Sequence, residues 1–208
     1  MAAEPLLLSA AFALAGTPVT WLELLAAALG LAMVACNIRT LHWGWPLAAL
    51  SSALYLLLFW YSALYGQALL QCVFIAVSLW GWRQWLRGMD SDGSALRIGR
   101  LTPRGWMWTL GASALLWAAL GWALQRHTDS TVPWWDGFTT ALSLVAQVLL
   151  ARKRLENWAL WLVVNTLSVG LFAHQALWPT VLLYAVFTVL SVVGWRAWRA
   201  QHRTAGGH

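Results

Sequence analysis

Arg152-Lys153-Arg154-Leu155-Glu156-Asn157-Trp158-Ala159-Leu160-Trp161-Leu162-Val163-Val164-Asn165 is the stretch from which the fold can be read. Three cations give way to an apolar run. Trp158, Trp161 and Asn165 are spaced by three and four, so a helix puts them on one face. The cations mark a membrane surface. Asn165 lies seven residues beyond Trp158, roughly 10 Å deeper at a 1.5 Å rise per residue. An amide near the bilayer centre, below two large aromatics on the same face, needs a hydrogen-bonding partner, and a ligand can be one.

Composition agrees. The 208 residues are 61% hydrophobic and 10% charged, against about 25% charged in a soluble domain, so the chain reads as an integral membrane protein. Cys36 and Cys72 both fall in apolar segments and read as packing residues rather than a disulfide or metal pair. The net charge of +6 sits in short loops between apolar spans, which fits a membrane topology better than nucleic-acid binding. Tryptophans gather near the ends of spans, where aromatic belts form.

Seven spans are predicted, at roughly 20–38, 43–64, 67–85, 104–125, 135–151, 156–175 and 178–198, each near the ~20 residues a bilayer requires. Pro46 and Pro179 fall in first turns, where proline costs little. Before them, the apolar run Leu6–Ala15 is too short to span. It reads as a short interfacial helix ending at Pro18; Glu4 and the lack of Lys or Arg before the run argue against a cleaved leader. The expected division is an N-terminal interfacial segment at 1–18, a three-helix bundle at 19–85, a cytoplasmic loop and linker helix at 86–133, a second three-helix bundle at 134–199 and a tail at 200–208.

With seven spans, one side receives Arg39, Arg83, Arg87, Arg97, Arg100, Arg104, Arg152, Lys153, Arg154, Arg196, Arg199 and Arg203, and the other only Arg126. This asymmetry puts the N-terminus outside and the C-terminus in the cytoplasm, with the chain multi-pass in the cell inner membrane. The chain also repeats itself. Shifted by 113, residues 21–85 overlay 134–198 without a gap, and 21 of the 65 pairs are identical. Arg39 meets Arg152, Trp45 meets Trp158, Gly81-Trp82-Arg83 meets Gly194-Trp195-Arg196, and Trp85 meets Trp198. Each unit holds three spans, so the fourth restores the direction. The expected architecture is all-α, a 3+1+3 parallel repeat with a site near the midplane between the halves.

Ala151 through Trp161 followed by Asn165, with Trp21-Leu22-Glu23, Trp45-Pro46, Leu69-Leu70-Gln71, Ser78-Leu79-Trp80-Gly81-Trp82 and Leu142-Ser143-Leu144-Val145-Ala146-Gln147, resembles the PnuC family of vitamin transporters, whose best-known members take up nicotinamide riboside. The resemblance covers about 20–198. It implies a SWEET-like fold, facilitated diffusion with alternating access, a homotrimer, and trapping of the vitamin by a separate cytoplasmic kinase. Related members carry thiamine or riboflavin, so uptake of another vitamin is the alternative. No cofactor, metal or nucleic acid is expected.

The halves differ at Trp161 against Ala48, Asn165 against Ser52, Gln147 against Val34, and Tyr184 against Gln71. A flat cationic ring can stack on Trp158 or Trp161. Asn165, Gln147 and Gln71 can bond a carboxamide or ribose hydroxyls, with Tyr184, Ser52 and Asn157 as further candidates. Each has a plainer reading. Trp158 is also an interfacial anchor by depth, as its equivalent Trp45 suggests. Trp161 is also packing, and Asn165, Gln71 and Gln147 are also interhelical glue. Asn157 and Glu156 read as caps of span six, and Glu23 and Asp136 as partners of helix dipoles. Gly111-Ala112-Ser113-Ala114 lacks the second glycine of a serine-protease loop, and His174 lies on a separate span near the outer surface, so an intramembrane enzyme is not indicated. A non-transporting receptor would not need the polar midplane face.

Overall fold

The computed structural model describes residues 9–14, 16–61, 65–88, 96–128, 132–174 and 176–205. Seven helices carry them: α1 Trp21–Ile38, α2 Gly44–Tyr61, α3 Tyr65–Arg87, α4 Pro103–His127, α5 Pro133–Ala151, α6 Asn157–His174 and α7 Trp178–Ala205. Among the described residues, three stretches are long and apolar enough to cross a membrane by length and composition, Trp21–Ile38, Pro103–His127 and Trp178–Thr204; Gly44–Leu58 is a shorter apolar helix.

The N-terminal expectation is corrected. β1 (Ala10–Leu14) pairs antiparallel with β2 (Thr17–Thr20), so the segment is a hairpin rather than an interfacial helix, and Pro18 lies inside β2. A short apolar run does not distinguish helix from strand. Gly16, at φ +81°, takes the left-handed conformation the tight turn needs, and β-branched residues follow it. Thr20 then ends β2 and caps α1. Its hydroxyl accepts the Glu23 N–H at 3.2 Å, while the Glu23 carboxylate accepts the Thr20 N–H at 2.8 Å. Glu23 thus serves the helix start, as its position suggests. Residues 1–8 of the predicted segment lie outside the described residues.

The helix bounds follow the 113-residue shift. Gly44 and Tyr61 bound α2, and adding 113 gives Asn157 and His174, the bounds of α6; Tyr65 opens α3 and Trp178 opens α7. The α1–α2 and α5–α6 turns also match bond for bond. Leu41 N–H donates to Cys36 O at 2.9 Å and Thr40 N–H to Asn37 O at 3.1 Å; Arg154 N–H donates to Leu149 O at 2.8 Å and Lys153 N–H to Leu150 O at 2.9 Å. These are Schellman turns, and the residue at the left-handed position is Thr40 (φ 57°) in one and Lys153 (φ 48°) in the other. Each helix trio packs in sequence, and the trios meet through α1 against α7 and α3 against α5. α4 packs on α5, where Gly121 and Gly137 let the two backbones approach closely.

The ends of the trios at the α1–α2 and α5–α6 turns share a tryptophan core. Trp45 lies over Gly81 and Trp158 over Gly194, and a Cβ on either glycine would collide with the indole. Trp45 meets Trp85 edge-on at 5.6 Å and 82°, and Trp158 meets Trp198 at 5.6 Å and 86°. Trp85 then donates to Leu150 O at 3.2 Å and Trp198 to Asn37 O at 2.9 Å, so each trio's last tryptophan caps a carbonyl of the other trio. Among the described residues, the α5–α6 turn alone carries an extra strand-like strap. Gly99 N–H donates to Lys153 O at 3.1 Å, Leu155 N–H to Gly99 O at 2.9 Å, and Lys153 Nζ to Leu96 O at 3.1 Å. His202 Nδ1 lies 2.9 Å from Ile98 O, tying α7 to the same strap.

Candidate functional site

Above this core lies a cavity of ≈ 130 Å³ lined by Met33, Val34, Asn37, Gln147, Leu150, Trp158, Trp161, Asn165, Tyr184, Phe187 and Ser191. Four helices build it: α1, α5, α6 and α7. The three- and four-residue spacing on α6 brings Trp158, Trp161 and Asn165 to its wall together, as the sequence predicts, and Gln147 and Tyr184 join them.

Trp158 is 4% exposed and locked between Gly194 and Trp198, so it is a buried wall of the cavity rather than a lipid-facing anchor. Trp161 is half-buried, and its indole has no ring contact or hydrogen bond among the described residues. Its face is therefore available for stacking on a flat ligand. Asn165 is buried and donates to Ser191 Oγ at 3.1 Å, and that hydroxyl donates to Phe187 O at 2.8 Å. This bond between α6 and α7 is the glue the plainer reading expects, yet it uses only part of the amide's capacity. Gln147 is buried and makes no hydrogen bond to the described residues. Tyr184 is half-buried, 5.2 Å from Phe172 and 6.1 Å edge-on to Phe187.

Three candidates lie elsewhere. Gln71 and Ser52, the counterparts of Tyr184 and Asn165, are half-buried but do not line the cavity. The cavity faces the second trio, which the comparison of halves favours at four positions, and the first trio reaches it only through α1. Asn157 is fully buried at the first position of α6, where its Nδ2 donates to Arg154 O in the preceding turn at 2.7 Å. Glu156 does not cap α6. Its carboxylate accepts the Leu101 N–H at 3.0 Å and faces Arg100 at 3.7 Å, so it holds the strap instead. Ser113 donates to Thr109 O within α4 at 2.8 Å. Among the described residues no group of His, Cys, Asp or Glu has the geometry of a metal site.

Asn37, like Ser191, is a polar lining residue that the sequence pattern did not single out. It lies one residue before the end of α1, is 3% exposed, and its Oδ1 is buried without a partner among the described residues. Gly44 makes room for it, since a Cβ there would run into the Asn37 amide. A polar residue ending an apolar helix beside a glycine seven residues on was the available signal. The cavity thus combines indole faces with amides and hydroxyls and, among the described residues, no charged side chain. Such a site suits a flat, hydrogen-bonding, unphosphorylated ligand.

Residues 20–200 match the family described as nicotinamide mononucleotide transporter. The chain is 26% identical to the nicotinamide riboside transporter PnuC of Escherichia coli over 215 residues, covering 92% of this chain and 90% of that one. It is 29% identical to the PnuC of Neisseria mucosa, covering 87% and 73%. It is 32% identical to the riboflavin/roseoflavin transporter RibM of Streptomyces davaonensis, covering 94% and 92%. A solved structure of the vitamin B3 transporter PnuC matches with a TM-score of 0.73 at 27% identity, over 88% of this chain and 83% of that one.

Proposed function

The chain belongs to the nicotinamide mononucleotide transporter family, the PnuC transporters, and from that premise we propose that it carries nicotinamide riboside across the inner membrane by facilitated diffusion. One observation carries the substrate reading. The cavity joins Trp158 and Trp161 to Asn37, Gln147 and Asn165, and among the described residues no Lys, Arg, Asp or Glu lines it. A cationic pyridine ring stacks on indole, and the carboxamide and ribose hydroxyls match amides and hydroxyls. The proposed contacts are Trp161, Asn165, Trp158, Gln147 and Tyr184; Gln71, Ser52 and Asn157 act at a distance.

All seven helices span the bilayer in this reading, as a SWEET-like 3+1+3 parallel repeat divided at 19–85, 86–133 and 134–199, with the N-terminus outside and the C-terminus in the cytoplasm. The matched helix bounds and inner turns support it, as does the gathering of cations at one end. Transport proceeds by alternating access as the trios rock against each other, and their crossed tryptophan contacts part when the inner side opens. The protein works as a homotrimer, and a cytoplasmic kinase traps the riboside as its phosphate.

RibM supports a second reading, riboflavin uptake. A compact cavity with two indoles favours one ring over three fused ones. Titration of purified protein with nicotinamide riboside, thiamine and riboflavin decides between them. Saturable binding of nicotinamide riboside is the expected result; binding of riboflavin or thiamine alone would reassign the substrate. Proteoliposomes then separate carriage from retention, because a transporter equilibrates the ligand across the bilayer and a receptor holds only stoichiometric amounts.

A further inference from the structure

Two amides at the inner end of the cavity have no protein partner. Asn37 is the penultimate residue of α1 and Gln147 lies one turn before the end of α5, and both line the cavity. They are 3% and 6% exposed, and neither side chain hydrogen-bonds to the described residues. Asn165, at the outer side, is by contrast bonded to Ser191. Unpaired buried amides are costly, and they are tolerated where a ligand completes them. The 113-residue shift pairs Asn37 with Leu150 and Val34 with Gln147, and all four line the cavity. Each trio therefore contributes one amide, one turn out of step, beside the contact between the halves. Gly44, whose lack of a Cβ accommodates the Asn37 amide, belongs to the same arrangement.

The chemistry of the missing partner follows. A primary amide offers a donating nitrogen and an accepting oxygen. Two of them can give to a ligand carboxamide's oxygen and take from its nitrogen. A carboxylate only accepts, so it would set a negative oxygen against an amide oxygen, and no Lys or Arg lines the cavity to offset it. Sugar hydroxyls fit the other end, at Asn165, Ser191 and Tyr184. Trp158, the indole that lines the inner end, lies where the ring bearing the carboxamide would stack.

We propose that Asn37 and Gln147 form a carboxamide-reading pair, which makes the transporter select nicotinamide riboside over nicotinic acid riboside. The inference rests on the nicotinamide riboside reading above. The test is calorimetry of the full chain in nanodiscs with both ribosides. Wild-type protein should bind nicotinamide riboside at least ~30-fold more tightly than the acid. Asn37→Leu and Gln147→Leu should each weaken nicotinamide riboside about tenfold and leave the acid within about twofold, so that the preference falls to about threefold. Gly44→Ala presses a methyl group onto the Asn37 amide without removing it and should act in the same direction; with Gln147→Leu it keeps the test open if Asn37→Leu does not fold. Wild-type protein that binds neither riboside would sink the transport reading and this inference together. Tight nicotinamide riboside binding, with a preference that is absent in the wild type or survives in the variants, would overturn this inference alone.

Discussion

The inner core and the cavity, less than two helical turns apart on α6, obey opposite rules. In the core the trios are alike in residue and in contact: Trp45 on Gly81 and Trp158 on Gly194, Trp85 to Leu150 O and Trp198 to Asn37 O. In the cavity they diverge, with Trp161 against Ala48, Asn165 against Ser52 and Gln147 against Val34. Two bodies that move against each other about a common axis work best with matched bearings. A single asymmetric molecule bound between them cannot be read by two identical surfaces. Under the proposed alternating access, the difference separates the machinery of motion from the machinery of recognition.

The sharpest way to break this comparison is topological, because its outcome is all or none. In a background with Cys36 and Cys72 replaced, an impermeant thiol reagent should label a cysteine placed within 126–134 from outside intact cells and leave one placed within 88–95 untouched. The reverse pattern would invert both trios. The next effect is on ligand charge. No cation lines the cavity, and burying an unpaired phosphate costs several kcal/mol. Nicotinamide mononucleotide should therefore bind at least ~100-fold more weakly than nicotinamide riboside, about 2.7 kcal/mol. Calorimetry with both compounds on one preparation checks this; equal affinities would mean that a cation reaches the phosphate from outside the cavity. The family's description names the mononucleotide, which makes this measurement the more informative.

The divergent positions allow a direct test. Trp161→Ala should weaken riboside binding by at least ~1 kcal/mol through lost stacking and burial. Ala48→Ser, at the matching place in the other trio, should change it little. Equal losses would show that both trios read the ligand.

The architecture was legible where local patterns determine it. The seven helices lie near their predicted spans, and α6 needed only its spacing to bring Trp158, Trp161 and Asn165 to one wall. Comparison of the halves pointed to the second trio for the same reason, since a bulky amide or indole unmatched across a repeat has something to touch. Three features escaped. The hairpin at Ala10–Thr20 escaped because a short apolar run fits helix and strand alike. The strap escaped because it joins Gly99 to Arg154 by long-range backbone pairing, which leaves no periodic trace, and with it went the role of Glu156. Asn37 escaped because its importance comes from α1 packing on α7, where its carbonyl receives Trp198 and its side chain meets the cavity. Which faces converge is a property of packing, and spacing along one helix does not report it.

The smallest expected difference tests the symmetric side of the comparison. Trp85→Phe and Trp198→Phe each keep an aromatic ring and remove one indole N–H that crosses between the trios. Each should lower stability by about 0.5–1.5 kcal/mol for the lost hydrogen bond. The carbonyls left behind are not orphaned, because Leu150 O still accepts from Lys153 N–H and Asn37 O from Thr40 N–H, so the cost stays near that of one bond. The two losses should agree within about 0.5 kcal/mol, and the double variant should be additive or nearly so, since each bond has its own acceptor. Thermal unfolding in one detergent measures all three. One asymmetry works against this equality: the strap adds bonds around Lys153, and Lys153 Nζ lies 5.0 Å from the centre of the Trp85 ring. A phenyl ring retains part of that cation–π contact, which is worth about 0.5–1 kcal/mol where exposed. A Trp85 loss clearly larger than that of Trp198 would therefore assign the strap an energetic share in the contact between the trios. Equal losses would leave it a covering of the second turn, and the inner core would behave as a symmetric joint.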